Sequence, residues 1–142
     1  MKLLVNSDIW NQAAAFSIRY KVFVVEQAIA KEEEFDAIDQ SQPIYAVIYD
    51  QNLPVATARL VIDNEKTCRV SRVATLEEYR GQGYGSQVVQ AIESCGLKEG
   101  FKHCLIHADL RAVPFYQKLG YQICSEIFIE DGVECLLVDK HF

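Results

Sequence analysis

Apolar positions recur along the chain with two periods, and the alternation between them predicts its elements. Ile9, Ala13, Phe16, Tyr20 and Phe23 are spaced four, three, four and three apart. That spacing predicts a helix buried on this face, with Asn6, Ser7 or Asp8 available to cap its start. An acidic stretch follows and reads as a loop or short irregular helix. Ile44 to Tyr49 and Val55 to Ile62 read as strands joined by the turn Gln51-Asn52-Leu53-Pro54, and Thr67 to Thr75 as a third strand. Gly81-Gln82-Gly83-Tyr84-Gly85 then opens a helix carrying Val88, Ala91, Ile92 and Cys95 on one face and stopping near Gly96 to Gly100. His103 to Ala108 reads as a buried strand, and Arg111 to Leu119 as a short helix ended by Gly120. Tyr121 to Phe128 and Val133 to Val138 close the chain as a hairpin. This order predicts one α+β domain over residues 1–142, an α/β sandwich whose mixed, mainly antiparallel sheet is flanked by helices.

At 142 residues the chain is long enough to bury a core without disulfides or a structural metal. Its longest apolar runs, Val22 to Val25 and Ile44 to Tyr49, are too short to cross a bilayer, and the first residues carry no secretory-signal pattern. Five cysteines without a Cys-x-x-Cys spacing read as reduced thiols, so the expectation is a cytoplasmic protein. His103 and His107 lie four apart with no second ligand pair, and no metal is expected. The net charge of −6 is local: residues 26–39 hold six acids against one lysine, and the rest is nearly balanced. No basic stripe exists, which argues against nucleic acid. The acidic segment is either a solvated loop or one wall of a site for a cationic substrate.

Three glycines within five residues, between a strand and a helix start, suit an anion site. Converging N–H groups and the helix dipole favour a phosphate, and glycines let it approach the main chain. Gly85 is followed by Ser86 and Gln87, so a Walker loop, which ends in Gly-Lys-Ser/Thr, does not fit. Ser86 and the antiparallel strands upstream also argue against a dinucleotide fingerprint.

Arg80-Gly81-Gln82-Gly83-Tyr84-Gly85 resembles Arg/Gln-x-x-Gly-x-Gly/Ala, the pyrophosphate-binding signature of the GNAT superfamily of acyl-CoA N-acyltransferases. Asp109 to Tyr121, with Ala112, Phe115, Tyr116 and Gly120 in register, resembles that family's second segment, Asn-x-x-Ala-x-x-Phe-Tyr-x-x-x-Gly-Phe. Arg19 to Gln27, followed by Glu34-Phe35-Asp36-Ala37-Ile38-Asp39, is similar to a small bacterial branch called ElaA-like or YjcF-like. The same residues resemble, more weakly, the acyl-homoserine-lactone synthases.

The resemblance implies a GNAT-like fold and an acetyl-CoA-dependent N-acetyltransferase acting on a small amine or an exposed peptide amino group. The alternatives are an acyl-homoserine-lactone-synthase-like acyltransferase and a catalytically silent acyl-CoA-binding module. It implies that N–H groups of Arg80, Gly81, Gln82, Gly83, Tyr84, Gly85 and Ser86 hold the CoA pyrophosphate. The main chain of Val73, Ala74 and Thr75 would line the pantetheine, with the Val73 N–H as oxyanion donor. Tyr116 matches the family's general acid, and Phe115 is left to pack. Asp109 stands where Asn is common and would contact pantetheine. The third strand offers Ser71 and Arg72 where the family often has a Glu base, so the base is sought among Glu26, Glu34 and His107. The expected partners are acetyl-CoA and an amine, with no membrane and with a homodimer left open.

Overall fold

The extended segments assemble into one eight-stranded sheet in the computed structural model, which describes residues 1–142. The strands are β1 (Lys2–Asn6), β2 (Tyr45–Asp50), β3 (Leu53–Ile62), β4 (Thr67–Thr75), β5 (His103–Asp109), β6 (Gln122–Ile123), β7 (Phe128–Glu130) and β8 (Val133–His141). Their order is β1-β2-β3-β4-β5-β8-β6, with β7 also on β8, and β4–β5 is the parallel pair. The helices are α1 (Ile9–Arg19), α2 (Lys31–Glu34), α3 (Ala37–Gln40), α4 (Tyr84–Lys98) and α5 (Val113–Lys118). The mixed, mainly antiparallel architecture is the expected one.

Side-chain alternation on β3 sorts the helices between the two faces of the sheet. Leu60 meets α4 at Gly96, whereas Arg59 bonds Asp36 and Asp39 beside α3. With helices on both faces, β2 and β3 are buried almost throughout, over Tyr45–Ile48 and Val55–Val61. Gly96 lies inside α4 rather than ending it, because a Cβ there would stand 2.7 Å from Cys68 Sγ. The helix can approach β4 so closely only with glycine at this position.

Three expectations at the N-terminal end need correction. β1 lies where no element was expected, at an edge of the sheet where pairing with β2 alone is enough. The buried face of α1 is Asn11, Ala15, Ile18 and Arg19, continuing to Val22, while Ile9 and Tyr20 are exposed. Two polar residues hide on that face: Asn11 donates to the Tyr45 carbonyl at 3.1 Å and accepts from the Tyr49 hydroxyl at 2.7 Å. After Arg19 the helix widens into a π-helical stretch, Tyr20–Glu26, which shifts the phase of every later side chain.

The acidic segment is not a solvated loop throughout: its carboxylates Glu34, Asp36 and Asp39 are paired inward, while Glu33 stays exposed. Arg19, fully buried, donates to Glu34 Oε2 at 2.9 Å and to both Asp39 oxygens at 2.8 and 2.9 Å. Its guanidinium lies 5.3 and 5.0 Å from the ring centroids of Phe16 and Phe35. Arg59 donates to Asp36 and Asp39, and Arg72 reaches Glu34 and Asp36 at 3.2 and 3.3 Å. Three arginines thus neutralise three carboxylates. Burial alone would raise the Asp39 carboxyl, but hydrogen bonds from Arg19 and Tyr45 hold it well below the usual carboxylate range. Burial pushes the Glu34 carboxyl up, against Arg72 and Arg19.

Arg19→Met takes one of two arginine partners from each of the buried Glu34 and Asp39 and is expected to cost about 3–5 kcal/mol in urea unfolding at neutral pH. The depressed Asp39 contributes stability that is present above the unfolded carboxyl value near about 4 and lost as pH falls through its folded value. In the variant the Asp39 carboxyl loses the hydrogen bond that lowers it most and moves back toward the usual range. The stability gap to wild type therefore narrows below about pH 4, and a gap that stayed constant in acid would contradict this role for Asp39.

Candidate active site

β4 and β5 pair only at Thr67–Arg69 with His103–Leu105, and then part. On its other side β4 carries an extra residue. Arg59 opposes Ser71 and Thr57 opposes Ala74, so two steps on β3 match three on β4. This is a β-bulge, and Arg72 within it has φ +51°, a left-handed conformation that non-glycine residues seldom adopt. Val73, next in the bulge, has a ladder partner on neither neighbouring strand.

Two cavities of about 500 and 490 Å³ open along the parted strands and share Phe23, Gln27, Val73, Ala112 and Tyr116. They form one cleft with two ends. At the first end lie Val73, Ala74, Thr75, Arg80, Gly81, Gly83, Tyr84, Gly85 and Ser86. No N–H from Gly81 to Ser86 has an acceptor in the protein, since the first helical bond of α4 comes from Gln87 to the Gly83 carbonyl. Gly81 and Gly83, at φ +76° and +87°, turn the chain so that these donors face outward. Gly85 is small for another reason: a Cβ there would meet the Phe115 ring at 3.4 Å. Gln82 is exposed and its amide donates to the Glu78 carbonyl, away from the cleft. Arg80 donates to the Thr75 carbonyl at 2.9 Å and to both Glu26 oxygens at 2.8 and 2.9 Å.

Tyr116 sits where the two ends meet. Its ring is buried against Phe115 and Tyr121, and its hydroxyl makes no hydrogen bond within the protein. Burial pushes this phenol far above its ordinary value, so it keeps its proton. At the second end His107 offers Nδ1 to Glu130 at 3.1 Å. A carboxylate only accepts, so Nδ1 carries the proton and the neutral ring keeps a lone pair on Nε2. Glu33 and Asp131 also line this end and have no ion-pair partner.

The residues named from sequence therefore divide. The glycine-rich loop, Val73 to Thr75, Tyr116 and His107 come together along the cleft. Glu34 lines it but is committed to Arg19 and Arg72, and Glu26 is committed to Arg80. Asp109 accepts from the Arg111 N–H at 2.9 Å and pairs with the Arg111 guanidinium, which fills the acceptor capacity expected to meet pantetheine. Glu33 belongs to the acidic segment expected as one wall of a site for a cation; sequence reading missed Glu130 and Asp131 as site residues. These two belong to a hairpin turn, and nothing local shows that the turn folds back beside β5.

The profile of the acetyltransferase (GNAT) family matches residues 10–121. The chain belongs to this family. An uncharacterized acetyltransferase of Streptococcus pyogenes is 40% identical over 103 residues, covering 72% of this chain and 70% of its own. The crystal structure of a putative N-acetyltransferase from Lactobacillus plantarum superposes with a TM-score of 0.94 at 37% identity, over 99% of this chain and 97% of that one. Escherichia coli ElaA, at 22% identity and a TM-score of 0.84, covers 99% of each chain and shares the fold. The recognised family and its ElaA-like architecture are thus shown, and the acetyltransferase is an enzyme. No helix is long and apolar enough to cross a membrane.

Proposed function

We propose that this GNAT enzyme transfers the acetyl group of acetyl-CoA to the amine of a small molecule or an exposed peptide amino group, using residues 1–142 as one domain. The observation that carries this reading is the run of unbonded N–H groups from Gly81 to Ser86, opening into the same cleft as the Tyr116 hydroxyl. That cradle fits a pyrophosphate, with Arg80 beside it, and each charge-assisted bond contributes roughly 1.5–3 kcal/mol. A fold neighbour from Elizabethkingia anophelis, 20% identical with a TM-score of 0.68, holds acetyl-CoA. When bound, acetyl-CoA supplies an acyl group activated as a thioester. The main chain of Val73 to Thr75 lies along the route from the cradle to Tyr116, and the Val73 N–H is the oxyanion donor.

Glu33 and Asp131 attract an amine, which arrives as a cation. His107 Nε2 takes its proton, directly or through one water, and Glu130 holds the ring in the required tautomer and stabilises the charge. Tyr116 gives its hydroxyl proton to the departing thiolate. The five free thiols suit the reducing cytoplasm as the place of action. Release of CoA thiol on adding a panel of amines and peptides to enzyme and acetyl-CoA tests the reading, and no release above hydrolysis with any of them would overturn it.

Three substitutions test the roles. Gly83→Val forces a β-branched residue into a left-handed conformation at the start of α4 and displaces the donors. Calorimetry should show acetyl-CoA binding at least about tenfold weaker, about 1.4 kcal/mol. Tyr116→Phe should leave that affinity nearly unchanged and lower kcat by about 10² or more. His107→Gln should lower kcat by a similar factor, about 10², with acetyl-CoA affinity nearly unchanged. An unchanged kcat would take His107 out of the proton path.

A further inference from the structure

At the end of β5 where β4 still pairs, a second set of side chains converges. His103 on β5 stands directly opposite His141 on β8, and Asp139 lies two residues before His141. Directly opposed residues in an antiparallel pair share a face, as do residues two apart on one strand. The sequence pattern Asp-x-His on β8, facing a His on β5, therefore gathers three donors on one side of the sheet. None of the three lines the acetyltransferase cleft.

We propose that His103, Asp139 and His141 bind a divalent transition-metal ion of the zinc type, joining β5 to β8 outside the active-site cleft. Their donor atoms all lie within 4.8 Å of one another. His103 Nε2 is 2.8 Å and His141 Nε2 3.8 Å from Asp139 Oδ2. Tetrahedral zinc with bonds of about 2.0–2.1 Å sets its donor atoms about 3.3 Å apart, between those two values. Most of the adjustment falls on His141, whose side chain is 77% exposed and free to rotate, which also leaves an entry path.

The surroundings match a metal site beyond the three donors. Thr67 on β4 places its hydroxyl 3.0 Å from His103 Nδ1. Without metal, His103 Nε2–H donates to Asp139 and Nδ1 accepts from Thr67. With metal on Nε2 the proton moves to Nδ1 and donates to the same hydroxyl, which serves as donor or acceptor equally well. The imidazoles of His103 and His141 stack at 4.5 Å, so two positive rings would repel, whereas a shared ion holds both neutral. Two imidazole nitrogens select zinc over magnesium.

The test is calorimetric titration of the chelator-stripped full chain with Zn²⁺, and with Mg²⁺ as control. Saturable Zn²⁺ binding at one ion per chain is expected, with no comparable Mg²⁺ binding. Affinity should fall at least about tenfold in His141→Ala and in Asp139→Asn, with the fold of each checked by circular dichroism. In the wild type, the imidazole NMR signals of His103 and His141 should move on adding one equivalent while that of His107 does not. Absence of saturable Zn²⁺ binding overturns the site. So does Zn²⁺ binding that both variants retain at wild-type strength, or imidazole signals of His103 and His141 that do not respond.

Discussion

The left-handed backbone at Arg72 is the constraint on which the cleft depends. A non-glycine residue in that conformation costs roughly 1–2 kcal/mol and persists only when its surroundings hold it there. Here the hold is ionic: the Arg72 guanidinium reaches Glu34 and Asp36, which are fixed in turn by Arg19 and Arg59. The bulge bends β4 away from β5 just after their three paired residues, and both cavities occupy the gap. A buried ion-pair cluster is weak evidence for stability, because apolar residues of equal volume often do as well. Its value here is geometric. Three planar forks meeting three carboxylates define one placement of the segment over residues 31–40 against β3 and β4, and with it one wall of the cleft.

This cluster also explains what was legible in the sequence. Glycine-rich turns and strand alternation are local, so Thr67–Thr75 and the Arg80 to Gly85 loop could be read from their own residues. The acidic segment could not. Its partners Arg19, Arg59 and Arg72 come from three other elements, and nothing near Glu34 or Asp39 indicates that their charge is spent. The same holds for α1, where Asn11 and Arg19 look like surface residues and are buried because β2 and the acidic segment satisfy them. Hydrophobic periodicity locates a buried face only when that face is apolar. The π-helical stretch adds a second failure, since a periodicity of 3.6 carried past Arg19 puts Tyr20 on the buried face although it is exposed.

The net charge of −6 and the handling of an anionic cofactor are compatible because the two ends of the cleft use different kinds of charge. Main-chain N–H groups and a helix dipole create a positive potential without any basic side chain, and Arg80 beside them is balanced by Glu26. At the other end Glu33 and Asp131 stay unpaired while Glu34 and Asp109, which also line it, are paired with arginines. Formal charge counted over the chain averages these two fields away. Their separation matters more, because the cofactor's phosphates and the acceptor's ammonium must approach one thioester without binding at each other's site.

β5 shows how one strand serves two chemistries through its neighbours alone. His103 and His107 are four residues apart, so they point to the same face about 13 Å from each other and cannot share a ligand. At the paired end, β4 brings Thr67 to His103 and β8 brings Asp139, so both ring nitrogens are engaged. At the parted end β4 has bent away, and only Glu130 reaches His107, on one side of its ring. The bulge at Arg72 thus leaves the second histidine, which lines the cleft, with one unbonded ring nitrogen. Straightening β4 would pair the strands further and close the gap over His107. The same ion pairs that hold the bulge therefore decide which of two identical side chains has a lone pair to offer a substrate.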